Sequence, residues 1–230
     1  MSRWTAADIP DQSGRTVLVT GANSGLGLRT AEALTGKGAH VLLGCRDAIR
    51  AEAARSDVAA AATGPAPEVV PLDLADLGSV RDAAQAVAAA VERLDVLVNN
   101  AGVMAMPQRR TADGFELQFG TNHLGHFALT GLLLPVLLRA EGPRVVTVSS
   151  NLHRMGASTG PTPTGSTAGT PSGRPTVSRS WPTCCSPATL LAGPTRRVRP
   201  WSPSRRTPAT PPPTSWRRAP APRATAWSAT

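Results

Sequence analysis

Three short segments of glycine or small polar residues stand where apolar runs end. The first is Thr20-Gly21-Ala22-Asn23-Ser24-Gly25-Leu26-Gly27, the second is Asn99-Asn100-Ala101-Gly102, and the third is Ser149-Ser150. Glycines between a strand and a helix let a phosphate approach the backbone, and the N-terminus of the helix offers N–H groups to an anion. The first segment therefore predicts a pyrophosphate site, although an ordinary strand-to-helix turn would also explain such a loop taken alone.

The residues around these segments alternate between strand and helix patterns. The predicted strands are Arg15–Thr20, Ala39–Gly44, a run ending at Asp73, Leu94–Val98 and Pro143–Ser150, and the predicted helices are Leu26–Leu34, Asp47–Ala61, Asp76–Arg93 and Asp113–Arg139. Strands that alternate with helices form a parallel, doubly wound sheet. The pattern predicts an α/β fold, a Rossmann-type sheet of about five strands, incomplete at its C-terminal side.

Composition divides the chain near Met155. Residues 156–230 contain ten arginines and no Asp, Glu or Lys, together with 15 of the 22 prolines, and they lack helical or strand periodicity. Such a segment buries too little apolar surface to offset its ordering entropy. We therefore predict a nucleotide-binding domain over residues 1–155 and a disordered Pro/Arg-rich tail over residues 156–230.

Several motifs occur in the order found in one enzyme family. The segments T-G-A-N-S-G-L-G, N-N-A-G and V-T-V-S-S, with N-H-L-G-H-F at Asn122–Phe127, resemble the short-chain dehydrogenase/reductase family, and most closely its retinol-dehydrogenase-like branch. The resemblance covers roughly Asp11 to Met155. It implies cofactor contacts from the glycine-rich loop, from two residues flanking the adenine and from the Asn-Asn-Ala-Gly segment: Gly21, Ser24, Gly25, Leu26, Gly27, Asp73, Leu74, Asn99, Asn100, Ala101 and Gly102.

The end of the second predicted strand bears on the choice of cofactor. Cys45-Arg46 stands where an acidic residue would bind the ribose 2′-hydroxyl of NAD. A guanidinium at this place suits a 2′-phosphate, so NADP is favoured over NAD. Arg46 could instead be a solvated surface charge, and Asp47 has the features of a helix cap rather than a ribose ligand.

The resemblance also implies a catalytic set of Asn, Ser, Tyr and Lys for carbonyl–alcohol interconversion on a small-molecule substrate. Asn122 and Ser150 match two of the four positions; otherwise they are a buried helix amide and a strand-end hydroxyl. The chain contains no tyrosine, and its one lysine, Lys37, precedes the second strand. The Tyr-x-x-x-Lys motif is absent, so we predict an oxidoreductase by family that is inactive as written, or a non-catalytic fragment that binds NADP.

A displaced reading frame would account for the missing motif. In this displaced frame, each codon combines the last base of one residue's codon with the first two bases of the next residue's codon. Arg174–Ser186 then permits A-Y-G-Q-S-K-L-A-N-L-L-F. With the same displacement, Arg206–Ser215 permits H-P-G-Y-A-A-T-N-L, which resembles the family's Pro-Gly segment. We infer a frameshift near Met155, which the degenerate third bases permit.

Other functional classes are less well supported. The arginines of residues 156–230 could form a basic arm that binds nucleic acid or anionic surfaces, although the frameshift explains them without a partner. Three cysteines without zinc-ligand spacing predict no metal and no structural disulfide. The sequence lacks a signal-peptide pattern and a long apolar run, so we expect a cytoplasmic protein without a membrane span. Oligomerisation is doubtful, because half of the family's usual dimer interface would fall in the replaced segment.

Overall fold

The computed structural model describes residues 4–150. Its strands are β1 (Thr16–Thr20), β2 (His40–Cys45), β3 (Glu68–Pro71), β4 (Val96–Asn99) and β5 (Arg144–Thr147). Its helices are α1 (Gly25–Thr35), α2 (Ala48–Ala60), α3 (Leu77–Ala90), the short α4 (Leu117–Phe119) and α5 (Gly125–Leu137), with a π-helical turn at Gly120–Leu124. A 3₁₀ turn at Ala6–Asp8 precedes β1.

The five strands form one parallel sheet in the order β3-β2-β1-β4-β5. In the register, Val17 pairs with Val41 on one side and with Val96 on the other. The chain builds outward from β1 to β3 and then crosses back to place β4 on the other side of β1. This is the doubly wound arrangement of a Rossmann-type fold, and it confirms the fold class predicted from the sequence.

Burial of both sheet faces explains the strand sequences. Val17, Leu18 and Val19 are fully buried, as expected when helices cover a parallel sheet on its two sides. One core lies between the sheet and the helices α3 and α5, and the other lies between the sheet and the helices α1 and α2. The Asp47 and Asp76 carboxylates accept backbone N–H groups at the starts of α2 and α3, which confirms the predicted cap at Asp47 and the predicted helix start at Asp76.

The helix predicted over Asp113–Arg139 begins later and is not uniform. Glu116 accepts the N–H groups of Gln118 and Phe119, so the helical segment starts at Leu117. Asp113 instead accepts the N–H group of Leu77, at the start of α3. Residues Gly120–Leu124 then form a π-helical turn, which is wider than an α-helical turn and is often found at functional sites.

Several predictions lie outside the described residues. They include the division near Met155, the disordered tail over residues 156–230, the basic arm, and the displaced-frame segments Arg174–Ser186 and Arg206–Ser215. Within the described range, Cys45 is a free, buried thiol.

Candidate dinucleotide site

The segments singled out in the sequence meet at one edge of the sheet. β1, β4 and β5 are parallel, so the glycine-rich loop after β1, the Asn-Asn-Ala-Gly segment after β4 and the serines after β5 all leave the carboxyl edge. The strand order reverses between β1 and β4. In open parallel sheets, ligands bind outside the carboxyl ends of the strands at such a reversal.

The glycine-rich loop and the segment after β4 are interlocked. A Cβ atom on Gly21 would lie 2.9 Å from both Cα and Cβ of Ala101, and Gly21 has a φ of +64°. A Cβ atom on Gly27 would lie 2.5 Å from Asn100 Nδ2 and would overlap the Gly21 carbonyl oxygen. Both glycines are therefore required sterically, and Gly21 is also required by its left-handed backbone.

Thr20 joins these two segments, although the sequence patterns did not identify it as a site residue. Its hydroxyl is completely buried and accepts the backbone N–H groups of Asn100 (2.9 Å) and Ala101 (3.0 Å). The Asn100 side chain donates in return to the Thr20 carbonyl oxygen at 2.9 Å. The available signal was its position as the last residue of β1, immediately before the first glycine.

The start of α1 is suited to an anion. Ser24 is the N-cap residue, but its side chain makes no capping hydrogen bond to the first turn, so the N–H groups of that turn remain available. Gly25 has a φ of +55°, and a Cβ atom added to it would meet no atom within 4 Å, while Leu26 is 71% exposed. This open glycine backbone at a helix N-terminus fits the pyrophosphate of a dinucleotide.

The residues after β2 differ in burial and in partners. Arg46 is exposed and takes part in no ion pair within residues 4–150. Asp47 accepts the N–H of Arg50 at 3.0 Å as the α2 cap. Burial raises the pKa of the Cys45 thiol, while N–H groups of Ala22 and Asn23 directed at its sulfur oppose that rise. Arg46 is thus an exposed cation at the carboxyl end of β2.

The two residues expected to flank the adenine have different surroundings. Asp73 is half-buried and accepts the N–H of Ala75 at 2.9 Å. The Leu74 side chain is only 5% exposed and belongs to the core on the α3 and α5 side of the sheet. The structure thus places Leu74 in the core rather than on an open surface.

The two asparagines after β4 also face different surroundings. Asn99 is buried and its side chain donates to Thr130 Oγ1 on α5 at 3.1 Å. Asn100 faces the glycine-rich loop, and a Cβ atom on Gly102 would approach the Asn122 amide oxygen at 3.4 Å. The segment after β4 therefore packs between the glycine-rich loop and the π turn.

The two candidate catalytic residues lie on different elements. Asn122 stands in the π turn, and both ends of its amide bind Val103: Oδ1 accepts the Val103 N–H at 2.8 Å and Nδ2 donates to the Val103 oxygen at 2.9 Å. Ser150 is exposed beyond the carboxyl end of β5. The Asn122 side chain thus positions the backbone after β4, and Ser150 lies at the carboxyl edge of the sheet.

Comparison with known proteins agrees with this geometry. The short chain dehydrogenase family model matches residues 15–170. The chain belongs to the short-chain dehydrogenase family. Among its relatives, human retinol dehydrogenase 14 is 50% identical over 156 residues, covering 62% of this chain and 46% of that protein. Human retinol dehydrogenase 13 is 46% identical over 143 residues, covering 62% and 43%.

Similar structures have been solved for other proteins. A protein from Mycobacterium paratuberculosis is 53% identical with a TM-score of 0.58, covering 66% of this chain and 52% of that one. A short chain dehydrogenase from Escherichia coli CFT073, complexed with NADPH, is 30% identical with a TM-score of 0.55, covering 63% and 62%. The Pseudomonas aeruginosa RhlG/NADP complex is 31% identical with a TM-score of 0.53, covering 61% and 54%.

The chain spans less than half the length of the retinol dehydrogenases it matches. Over residues 4–150, none of its helices is both long and apolar enough to cross a bilayer. No three His, Cys, Asp or Glu side chains in the same range gather as ligands for a metal ion.

Proposed function

We propose that this chain is the NADP-binding part of an oxidoreductase that interconverts a carbonyl and an alcohol on a small-molecule substrate. The observation that carries the proposal is the interlock of Gly21 and Gly27 with Asn100 and Ala101 at the strand reversal. Similar proteins support it, since two were solved with NADP or NADPH and others are retinol dehydrogenases.

Different residues of the chain would bind different parts of NADP. The N–H groups at the start of α1 hold the pyrophosphate, and the close approach at Gly21 keeps the loop in the shape that exposes them. Asp73 lies at the adenosine side, and Arg46 pairs with the 2′-phosphate. When bound, the nicotinamide supplies or accepts the hydride.

We also propose that the chain as written does not turn over. The family chemistry needs a tyrosine to exchange a proton with the substrate oxygen, and the sequence contains none. Its one lysine cannot serve as the family lysine, because Lys37 lies before the amino end of β2 and donates to the Ala7 carbonyl oxygen at 2.9 Å. Asn122 and Ser150 remain from the catalytic set. The frameshift near Met155 is our explanation for the loss of the other two.

Binding of NADPH is the test of this proposal. We expect the purified full chain to quench or enhance NADPH fluorescence with a dissociation constant in the micromolar range, and to bind NADH more weakly. The midpoint temperature of thermal unfolding should rise with NADPH concentration, because a ligand specific for the folded state stabilises it by mass action. A folded chain with no NADPH-dependent signal would contradict the proposal.

The preference for NADPH should depend on Arg46. A charge-assisted hydrogen bond contributes about 1.5–3 kcal/mol, so Arg46→Ala should weaken NADPH binding by about 10-fold to 100-fold. NADH binding should stay nearly unchanged, and Arg46→Asp should favour NADH, since a carboxylate can bind the ribose 2′-hydroxyl. The matched control is Arg144→Ala, which removes an exposed arginine at the opposite edge of the sheet. Equal affinities for NADPH in the Arg46 and Arg144 variants would contradict the assignment.

A further inference from the structure

A buried histidine lies behind the dinucleotide site. His126 is 5% exposed, and its Nε2 is 2.9 Å from Thr20 Oγ1 while its Nδ1 is 3.0 Å from the Asn122 carbonyl oxygen. Thr20 Oγ1 in turn receives the N–H groups of Asn100 and Ala101. One imidazole ring therefore connects the π turn to the strand end that carries the glycine-rich loop.

The partners of the ring fix its hydrogens. A carbonyl oxygen can only accept, so Nδ1 must carry the proton that it donates to Asn122. In a neutral ring Nε2 then has a free lone pair, and the Thr20 hydroxyl donates to it at 2.9 Å in preference to the Val98 carbonyl oxygen at 3.3 Å. The two lone pairs of Thr20 Oγ1 are left for Asn100 and Ala101, so each donor has one acceptor. A proton on Nε2 would direct a third N–H group at an oxygen with two lone pairs.

We propose that His126 is a positioning residue for the dinucleotide site: as the neutral Nδ1–H tautomer it orients the Thr20 hydroxyl, which holds the segment after β4 against the glycine-rich loop. The inference rests on the proposed function, because the geometry it maintains is that of the NADP site. His126 acts through Thr20 and does not need to contact the cofactor.

The sequence around His126 supports a role beyond filling the core. The neighbouring buried positions on α5, Leu129 and Leu133, are aliphatic, so an apolar residue would satisfy the packing at this helix face. A buried imidazole with both nitrogens bonded forms instead a directional link between two functional segments. The ring bonds to the π turn that contains Asn122, whose amide positions Val103 after β4.

Acid pH should weaken this connection. Burial lowers the pKa of His126 below its ordinary value of about 6.5. His123, one turn earlier, also has a pKa lowered by burial, and its charge would further disfavour protonation of His126. The strands β1 and β4 carry no titratable side chain. The backbone of Leu74 lies against Gly125, the residue before His126, and Asp73 and Asp76 are the carboxylates next to Leu74 in the sequence.

Proton uptake by the histidines determines how the stability of the fold changes with pH. The unfolded chain binds a proton at these histidines at higher pH than the folded chain does, so the folded state is favoured above about pH 6.5 and loses stability as the pH falls below it. His126→Gln removes one of the two titrations. In urea unfolding between about pH 5 and 7, we expect a smaller decrease of stability toward acid pH for His126→Gln than for the wild type; an identical profile would contradict the neutral state of His126.

Two variants separate the two bonds of the ring. In His126→Gln the amide oxygen can reach the Nε2 position and accept from Thr20, whereas in His126→Asn the amide nitrogen replaces only Nδ1 and keeps the bond to Asn122. We expect His126→Gln to bind NADPH within about 3-fold of the wild type and His126→Asn to bind about 10-fold more weakly, the effect of one buried hydrogen bond. In a Thr20→Val background the difference between the two variants should disappear.

Two further readouts do not require the cofactor. Histidine ring ¹⁵N shifts of the full chain should show Nδ1 protonated and Nε2 unprotonated at His126, and the amides of Asn100 and Ala101 should exchange with solvent faster in His126→Asn than in His126→Gln. An Nε2–H ring, or equal exchange in the two variants, would overturn the positioning role. A chain with the expected ring shifts and exchange that binds no dinucleotide would instead overturn the proposed function.

Discussion

Replacement of Gly27 by alanine is expected to abolish measurable NADPH binding. The added methyl group would overlap the Gly21 carbonyl oxygen and lie 2.5 Å from Asn100 Nδ2. Neither neighbour is the end of a flexible side chain, because one is backbone and the other is held by its bond to the Thr20 oxygen. The loop must therefore move away from the segment after β4, at a cost of about 1–3 kcal/mol in stability. We expect affinity to decrease by at least about 100-fold.

Gly131→Ala is the matched control. It makes the same chemical change within α5, where no atom lies within 4 Å of the new methyl group. Alanine in an exposed helix position is more stable than glycine by about 0.5–1 kcal/mol. Urea unfolding should show that Gly27→Ala lowers the stability and that Gly131→Ala raises it. Fluorescence titration with NADPH should show a loss of affinity only for Gly27→Ala. Wild-type affinity in the Gly27 variant would show that the interlock is not needed for binding.

Restoration of the displaced frame is expected to produce an active enzyme. Insertion of one base near codon 155 would let the gene encode A-Y-G-Q-S-K-L-A-N-L-L-F where the chain now has Arg174–Ser186, and so would return the tyrosine and the lysine four residues apart. A positioned general acid contributes about 10²–10⁴-fold to such reactions. NADPH oxidation with a panel of small and lipophilic aldehydes and ketones should therefore rise by at least about 100-fold over the chain as written.

The gene itself provides the sharpest check of the frame. A tyrosine codon in the displaced frame requires the Pro175 codon to end in T, and a lysine codon requires the Arg179 codon to end in A and the Ser180 codon to begin with AG. DNA with other bases at these places would exclude the displaced motif. The activity control is the restored chain with its new tyrosine codon changed to phenylalanine, which should bind NADPH but not oxidise it.

The sequence was informative wherever a local pattern determines the structure. The apolar run before Gly21 predicted β1, and the carboxylates of Asp47 and Asp76 predicted the helix starts that the structure contains. Such features depend on residues within a few positions of one another. The alternation of strands and helices then restricted the topology to a doubly wound sheet, because parallel strands need crossover helices.

Features that depend on distant residues were not predicted. Asn99 and Asn100 are adjacent and identical in type, yet one faces α5 and the other faces the glycine-rich loop. The contact between Thr20 and His126 joins residues 106 positions apart. No local pattern distinguishes a buried histidine that bonds to a strand end from one that fills a core. The start of the helical segment was also placed too early, because Asp113 binds the N–H of a residue in α3, which the sequence could not indicate.

The bonds from Asn100 and Ala101 to Thr20 span 80 and 81 residues of sequence, and this separation orders events during biosynthesis. Closing so long a loop is entropically costly, and it becomes possible only after β4 has left the ribosome. Until then, the nascent glycine-rich loop lacks the partner that shapes it, so NADPH cannot act as an early folding template. The dinucleotide can only select chains whose first four strands are already assembled, and cellular NADPH would affect the lifetime of the finished domain rather than the yield of its early folding steps.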